Sequence, residues 1–582
     1  MPKTTIAFNA IRHSFKFFSL IGATILTADN IIQRTHDKIK TDEDNNSFLQ
    51  HTKKQQQLHP FSGMHQPFIA DPQEQEIFKT HFPEYSKLLP DDLEHFKKQQ
   101  AAKTPVKFKP LSELKLPSVE LAHEILDFKN ASILVVGGLP ALISSMPLLN
   151  PKLAEGVPKK SFTYINDENR NPISAGSAFH LEYDAPTEAP VTQQPIHFFS
   201  QQIKRSLTGY LSHESIAKTG IFPWRTLDWI SWMQHPQKWY DAFTLALAFQ
   251  LETMATQEKR QTMMQEIAKR CKANEKFYEG LNKTLNEKLL KTEKGSFIVA
   301  RNDEEVNALI RLKKNLAAEG RTLNILTREK MIERFGFAPE GELFGEKTHD
   351  RILSPNATKI LAEHIKSQKG NVINGVLTTV YSDGKNPGGI AEYQKPDGNK
   401  ELLVFSQLIL SLGTQAVLDK DDKPLFNVIS ARGVSVLAHI YTPKGIKLPP
   451  VTVCGGSNHV TKLSEAISII DTNGHAKDLY LVRMTAGACI TPNVSEESSA
   501  NYDGSIGLGL ITAVEKTFGN EFSIKPLTVY GRNRQVSQYG QLKWITLPGV
   551  SIQYGAGGGG LTRAPELAVQ QEEEYQSIGF GR

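Results

Sequence analysis

The stretch SILVVGGLPAL, from Ser132 to Leu142, decides how this chain is read, because a short apolar run ending in paired glycines is how a buried strand enters a nucleotide-binding turn. In the dinucleotide fingerprint GxGxxG, the first glycine makes the tight turn and the second lets a pyrophosphate approach the backbone. The third lets helix and strand pack closely. Gly137 keeps the first place and Gly138 follows it, but Leu139 and Leu142 stand at the second and third. Pro140 and Ala141 still fit a GxGPAG variant. The fingerprint is degenerate, so the function turns on whether the site it belongs to survives.

Around this stretch the spacing predicts a βαβ start near Asn130: strand Ser132 to Val136, the glycine turn, a helix through Leu149, and a second strand, SFTYIN, from Ser161 to Asn166. A helical region is expected from about Leu227 to Leu290. There Ile267, Cys271, Tyr278, Leu281, Leu285 and Leu289 recur at helical spacing and mark a core face. Strand SFIVA (Ser296 to Ala300) precedes a helix opened by Asn302 and Asp303 and stopped at Gly320; others run from Thr327 to Gly336 and from Asn356 to about Lys369. Apolar strands follow around Val372 to Tyr381 and Leu402 to Leu412, the latter closed by Gly413. Phe426 to Trp544 reads as strands and turns with one helix after Asp503, and GVSIQYGAGGGGLT (Gly549 to Thr562) is another strand entering a glycine turn and a helix.

At 582 residues the chain has room for two or more domains with full cores. A net charge of +5, with no basic stripe interleaved with aromatics, argues against nucleic acid as a partner. Cys271, Cys454 and Cys489 lack metal-ligand or CxxC spacing, so inert thiols in a reduced protein and no metal are expected. Arg12 and Lys16 precede FFSLIGATILTA (Phe17 to Ala28), which has the length of a signal-peptide core and is too short to span a bilayer. Leu26 stands where cleavage after Ala28 would want a small residue, so the alternatives are a secreted chain, or a cytoplasmic one with peripheral membrane contact through this run. Asp29 to Pro117 reads as a polar extension with a few docked helices.

From about Asn130 to Ala568 the chain resembles the flavin-dependent amino-acid oxidoreductases of the D-amino-acid oxidase and dehydrogenase type. Ser132 to Leu142 falls on the family's first strand and turn. ISAGSAFHLEY (Ile173 to Tyr183), which includes Ser174 and Ser177, falls on its small-residue flavin-contacting loop. LDWISWM (Leu227 to Met233) and ILSPNATKILAEHI (Ile352 to Ile365) follow in the family's order. LILSLGTQA (Leu408 to Ala416) looks like its late flavin-domain strand and turn, and SARGVSV (Ser430 to Val436) like the strand that begins the substrate sheet. Gly555, Gly557 and Gly560 of GAGGGG form an intact GxGxxG, which in this family brings backbone N–H groups near the flavin.

The resemblance implies an α/β fold, with a discontinuous FAD-binding Rossmann-like domain (130–190, 346–420 and 548–570) and a substrate domain built on a mostly antiparallel sheet (421–547). A helical and substrate-domain insertion (191–345), a partly disordered N-terminal extension (1–129) and an acidic C-terminal tail (571–582) complete the expected layout. It also implies FAD as cofactor and a small-molecule amine or amino acid as substrate, oxidised by hydride transfer to an imine that water hydrolyses.

Some positions depart from the family. Asn166 stands where an acidic residue would bond the adenosine ribose, with Asp167 one place later, and Ser177 and Phe179 replace the usual asparagine and glycine of the loop. In YGRNRQ (Tyr530 to Gln535), Asn533 falls opposite the family's carboxylate-binding arginine, with Arg532 and Arg534 on either side. Either guanidinium could clamp a carboxylate by two parallel bonds; the alternative is two solvated arginines on an edge strand. Tyr530 and Tyr554 line the site or belong to the core. His180, in the small-residue loop, reads either as a residue near the flavin or, more commonly for a lone histidine, as a satisfied polar residue, and it has no metal spacing to His123. QQEEEY (Gln570 to Tyr575) reads as a solvated acidic face, though it also looks like the glutamate-rich signals of bacterial type IV secretion substrates. No obligate protein partner is evident. The rival to an oxidoreductase is an inactive pseudo-enzyme that keeps the fold for binding, as a bacterial effector would.

Overall fold

The computed structural model describes residues 71–89, 105–114, 132–149, 161–166, 179–183, 200, 202–203, 240, 243–244, 246–247, 257–318, 320–382, 384, 388–413, 415–426, 429–454, 458–470, 474–490, 500–536, 543–555, 561–566 and 568. All of them belong to one compact unit, Met64–Arg582. The run Phe17 to Ala28, the segment Leu227 to Met233, His123, Asp167, Ser174, Ser177, Gly557, Gly560 and the QQEEEY tail lie outside the described residues.

In chain order the strands are β1 (Val106–Lys109), β2 (Ser132–Gly137), β3 (Phe162–Asn166), β4 (His180–Leu181), β5 (Leu290–Ala300), β6 (Leu323–Leu326), β7 (Leu343–Leu353), β8 (Asn371–Asn374), β9 (Val376–Tyr381) and β10 (Gly389–Gln394). They continue as β11 (Lys400–Ser411), β12 (Val417–Leu418), β13 (Ile429–Pro443), β14 (Val451–Cys454), β15 (Asn458–Lys462), β16 (Ile467–Ile470), β17 (Ala476–Ile490), β18 (Ser523–Val536), β19 (Lys543–Leu547) and β20 (Val550–Tyr554). The helices are α1 (Pro72–His81), α2 (Leu139–Ser145), α3 (Gln257–Thr284), α4 (Asp303–Ala318), α5 (Arg328–Phe335), α6 (Ala357–Ser367) and α7 (Ala500–Phe518).

The first sheet is built on five parallel strands in the spatial order β8-β3-β2-β11-β20. Counted along the chain this is 3-2-1-4-5, the order of a doubly wound dinucleotide fold. Successive residues of β2 enter two different cores: Ile133 and Val135 pack with α2, α3 and α6, whereas Leu134 and Val136 pack with β9, β10, β11 and β20. Burial on both faces is why SILVV reads as a continuous apolar run rather than an alternating one. The fold class is thus a discontinuous Rossmann-like domain with a second, mostly antiparallel sheet, β18-β13-β17-β15-β14-β5-β7-β4, in which only β14 and β5 run parallel.

Several expected boundaries move. Within the segment read as an N-terminal extension, β1 lies inside the first sheet between β12 and β9, and α1 docks on the second sheet. The run Val372 to Tyr381 is two strands, broken at Gly375, whose N–H donates to Asn166 O at 3.0 Å. A Cβ there would lie 2.7 Å from the Tyr393 ring, so only glycine lets the chain bend from the parallel core toward β10. The boundary at 346 cuts β7, which belongs wholly to the second sheet, and β4 joins it there although it falls within the first expected flavin segment. The boundary at 547/548 cuts a hairpin: β19 pairs with β20 across Pro548 and Gly549 (φ +72°), the residue pair a type II turn favours.

Candidate active site

The carboxyl ends of β2 and β11 mark the switch point of the first sheet, since the chain leaves β2 toward β3 on one side while β11 is followed by β20 on the other. Ligands of open α/β sheets bind in the crevice outside such a point. Three of its strands end at glycines with positive φ: Gly137 at +130°, Gly413 at +60° and Gly555 at +78°. Gly137 is fixed by its neighbour, because a Cβ there would lie 2.2 Å from Ser411 O, and its carbonyl accepts from Tyr164 Oη at 3.0 Å. Gly413 is exposed and has no atom within 4 Å of a Cβ position. The Gly555 N–H donates to Gln535 Oε1 at 3.3 Å and so ties the end of β20 to β18 of the second sheet.

Leu139 and Leu142 are only 1% and 0% exposed and lie in the apolar core with Ile143, Tyr183, Tyr278 and Leu361. They serve as the core-facing side of α2. The turn is nonetheless a poor donor of N–H groups: among residues 138–141, the Gly138 N–H is bonded to Ser411 O at 3.1 Å and Pro140 has none. The end of β11 leaves a dinucleotide the most room, since the Gly413 backbone is exposed, whereas Asn166 is buried at 8% exposure and the buried Gly555 has its N–H taken by Gln535. The dinucleotide fits less well at the turn after β2.

The second sheet presents a polar face beside this crevice. Pairing puts His459 of β15, Thr485 of β17, and Ser435 and Gly433 of β13 on one face, together with Arg483 of β17. Arg483 is fully buried, donates from Nη1 to Ser435 Oγ at 3.2 Å, and stands 5.8 Å over the ring of Phe179. Phe179 itself is held at φ +54°, a conformation a bulky residue rarely adopts, at the place where the resembled family carries glycine. Arg534 is half-buried and lays its guanidinium on bare Gly433, where a Cβ would lie 2.2 Å from Nη2. The opposite face carries Val436 and Val529 against Gly507 of α7. Farther along β13, α1 covers the polar face: Glu74 Oε2 contacts His439 Nδ1 at 2.6 Å and accepts from Tyr441 Oη at 2.7 Å.

Between these parts lies a buried charged network. His180 Nε2 is 2.9 Å from Asp350 Oδ2, which also accepts from Ser296 Oγ at 2.6 Å, and His180 Nδ1 is 3.3 Å from His459 Nδ1. Lys347 Nζ is paired with Glu182 and lies 4.0 Å from Asp350 Oδ2. Burial opposes a charge on Asp350, yet Lys347 and His180 outweigh it and hold the carboxyl well below the usual carboxylate range. Burial likewise opposes a charge on His180, but the bond to Asp350 and the fields of Asp350 and Glu182 raise its pKa. Burial pushes His349 down to about 4; burial and then the charge of His180 push His459 down to about 4.

Among the residues expected from sequence, Gly137, Gly138, Asn166, Gly413 and Gly555 gather at the strand ends of the first sheet, and Arg534 lies on the polar face of the second. Asn533, opposite the expected arginine, is on the other face, where its Oδ1 accepts from the buried Arg432 at 3.0 Å. The backbones of Tyr530 and Arg532 pair with Ser435 and Gly433; their side chains lie outside the described residues. Tyr554 stacks on Phe426 with ring centroids 4.4 Å apart. Cys271 and Cys454 are buried and not disulfide-bonded, and burial pushes the Cys454 thiol up to about 12. Among the described residues, no group of three His, Cys, Asp or Glu side chains is placed to hold a metal ion, and no helix is long and apolar enough to cross a membrane. Sequence reasoning missed Ser296, Asp350, Lys347, His459, Arg432 and Arg483. A polar residue inside an otherwise apolar run was the available signal for Arg483, which stands in LYLVRM; polar NHVTK around His459 carries none.

These elements define a two-sheet α/β protein of the dinucleotide-binding type, with a switch-point crevice beside an arginine-bearing antiparallel face. No model of a known protein family matches the chain, and no curated protein does. Among solved structures it is similar to L-proline dehydrogenase from P. horikoshii, at 13% identity and a TM-score of 0.43, covering 77% of this chain and 94% of that one. It is also similar to L-amino acid deaminase from Proteus myxofaciens (10%, 0.45, covering 82% and 94%) and to glycine oxidase from Bacillus cereus (11%, 0.43, covering 77% and 95%).

Proposed function

We propose that the chain is a flavin-dependent oxidoreductase that takes FAD at the switch point and oxidises a small amine or amino acid. The observation that carries this reading is the 3-2-1-4-5 sheet whose strands end at Gly137, Gly413 and Gly555, beside a sheet face bearing Arg483 and Arg534. Asn166 would meet the adenosine ribose through a neutral amide, and the Gly413 and Gly555 backbones would lie along the pyrophosphate and flavin. When bound, FAD supplies the acceptor for the electron pair leaving the substrate carbon. Arg534, whose guanidinium lies against Gly433, is the group whose planar shape would match a substrate carboxylate, and Arg483 adds positive charge to the same face.

A second reading, a fold kept for binding alone, is favoured by one observation: the turn after β2 has lost two backbone N–H groups that a pyrophosphate would use. Anaerobic mixing of FAD-loaded protein with D- and L-amino acids and simple amines separates the two. Bleaching of the flavin band by any of them supports the oxidoreductase. Tight FAD binding without bleaching supports the binding-only protein.

A further inference from the structure

We propose that His459, His180 and Asp350 form a proton relay, with Ser296 fixing its inner end, that takes the proton an ammonium substrate must lose before its carbon–hydrogen bond can be oxidised. The inference rests on the amine-oxidising reading above.

The geometry has a closed end and an open one. Asp350, with a side chain 0% exposed, is the inner end; His180 and His459 are both half-buried residues, and strand pairing puts His459 on the face that carries Arg483 and Arg534. The contacts between them, 2.9 Å and 3.3 Å, are those of a continuous chain drawn from β7, β4 and β15. His180 donates from Nε2 to Asp350, which leaves its Nδ1 for His459. Above the raised pKa of His180, His459 donates from Nδ1 to His180 Nδ1, and its own Nε2 keeps a lone pair.

The step balances without any change of oxidation state. The substrate N–H bond breaks as the His459 Nε2–H bond forms, and the His459 Nδ1 proton passes to His180 Nδ1. The neutral amine remains at the site and an imidazolium remains against Asp350. Charge bookkeeping favours that end state: Asp350 and Glu182 bring two negative charges to this interior and Lys347 one positive, so the relayed proton completes the balance. The groups facing His180 are Asp350 and Lys347 of β7, Glu182 and His459; those facing His459 are His180, Glu182, Lys347 and Arg534. Burial first, and then the charge of His180, keep the proton from resting on His459. His349 stands 3.6 Å from the other oxygen of Asp350 and stays neutral.

The test combines histidine-selective NMR titration of the full-length protein with the pH dependence of flavin reduction. The relay predicts one histidine titrating above the ordinary value, assigned through His180→Gln, that moves when His459→Gln is introduced and drops at least tenfold in proton affinity in Asp350→Asn. Between the raised pKa of His180, above which the relay has room for a proton, and the substrate's ammonium pKa, His459→Gln should slow reduction by an amine roughly 10²-fold, and scarcely at all above the latter, where the substrate is already neutral. Should Asp350→Asn not fold, the partly exposed His459→Gln carries the test alone. If amines reduce the wild type, histidines titrating independently, or a His459→Gln loss that is equal at every pH, overturn the relay alone. A wild type that no amine reduces removes the function reading and the relay's role with it.

Discussion

Gly137, Gly413 and Gly433 are glycine for three different reasons, and one added methyl tells them apart. At Gly137 the Cβ would meet backbone oxygen 2.2 Å away at φ +130°, so Gly137→Ala should cost about 3 kcal/mol or more and lower the unfolding midpoint of the whole domain. At Gly413 there is space but φ is +60°, so Gly413→Ala should cost only about 1 kcal/mol while weakening FAD binding measured by titration. At Gly433 the Cβ would meet the movable end of Arg534, so Gly433→Ala should leave the unfolding midpoint nearly unchanged and raise KM for a carboxylate substrate more than it lowers kcat. The histidines act on stability with opposite signs. His349 and His459, held neutral with values near 4, withdraw stability as pH falls from the ordinary value of about 6.5 toward 4; His180, with a raised value, withdraws it as pH rises through that value. Replacing His349 with Gln should flatten the acid side of a stability-against-pH curve, and an unchanged acid side would count against its buried neutral state. At this scale the sequence was readable for backbone and opaque for partners. The i, i+3 spacing of Leu139 and Leu142 is core spacing, whereas nothing near Arg534 announces that the residue beneath it is Gly433.

Helix α1 and strand β1 show what elements disclose and conceal. Asp71 followed by Pro72 is a legible helix start, and Asp71 Oδ1 accepts from Gln73 N at 2.8 Å. Glu74, one turn inside, is an ordinary acidic residue by sequence, yet it joins His439 and Tyr441, and with burial it pushes the Tyr441 phenol up so that it stays neutral. Glu74→Ala leaves both without their acceptor and should cost about 1–3 kcal/mol, seen as faster protease cleavage before Phe82; unchanged cleavage would mean that α1 is held by Phe78 and Phe82 alone. VKFK of β1 alternates as a strand should, with Val106 buried, but four residues between Pro105 and Pro110 are a weak signal, and its partners β9 and β12 are supplied by distant chain. The long elements were legible because their periodicity is local. Helices α4, α5 and α6, and strands β2, β3 and β11, fall within a few residues of their expected places.

Across the whole molecule, the Rossmann-like half was readable because its glycine turns fall at strand ends in the right order. The buried network was not. His180 and His459 are 279 residues apart, and the pairing of β4, β7, β5, β14 and β15 in the second sheet brings them together. That distribution agrees with a site assembled between two sheets, one holding a cofactor and the other holding a substrate, and all of it rests on the crevice being a flavin site. The most direct measurement is the visible absorption spectrum of the purified full-length protein before and after titration with FAD. Stoichiometric uptake, with the shifted and resolved bands of an enclosed flavin, is the predicted result. A protein that is colourless as isolated and leaves the spectrum of added FAD unchanged would contradict the account at its centre.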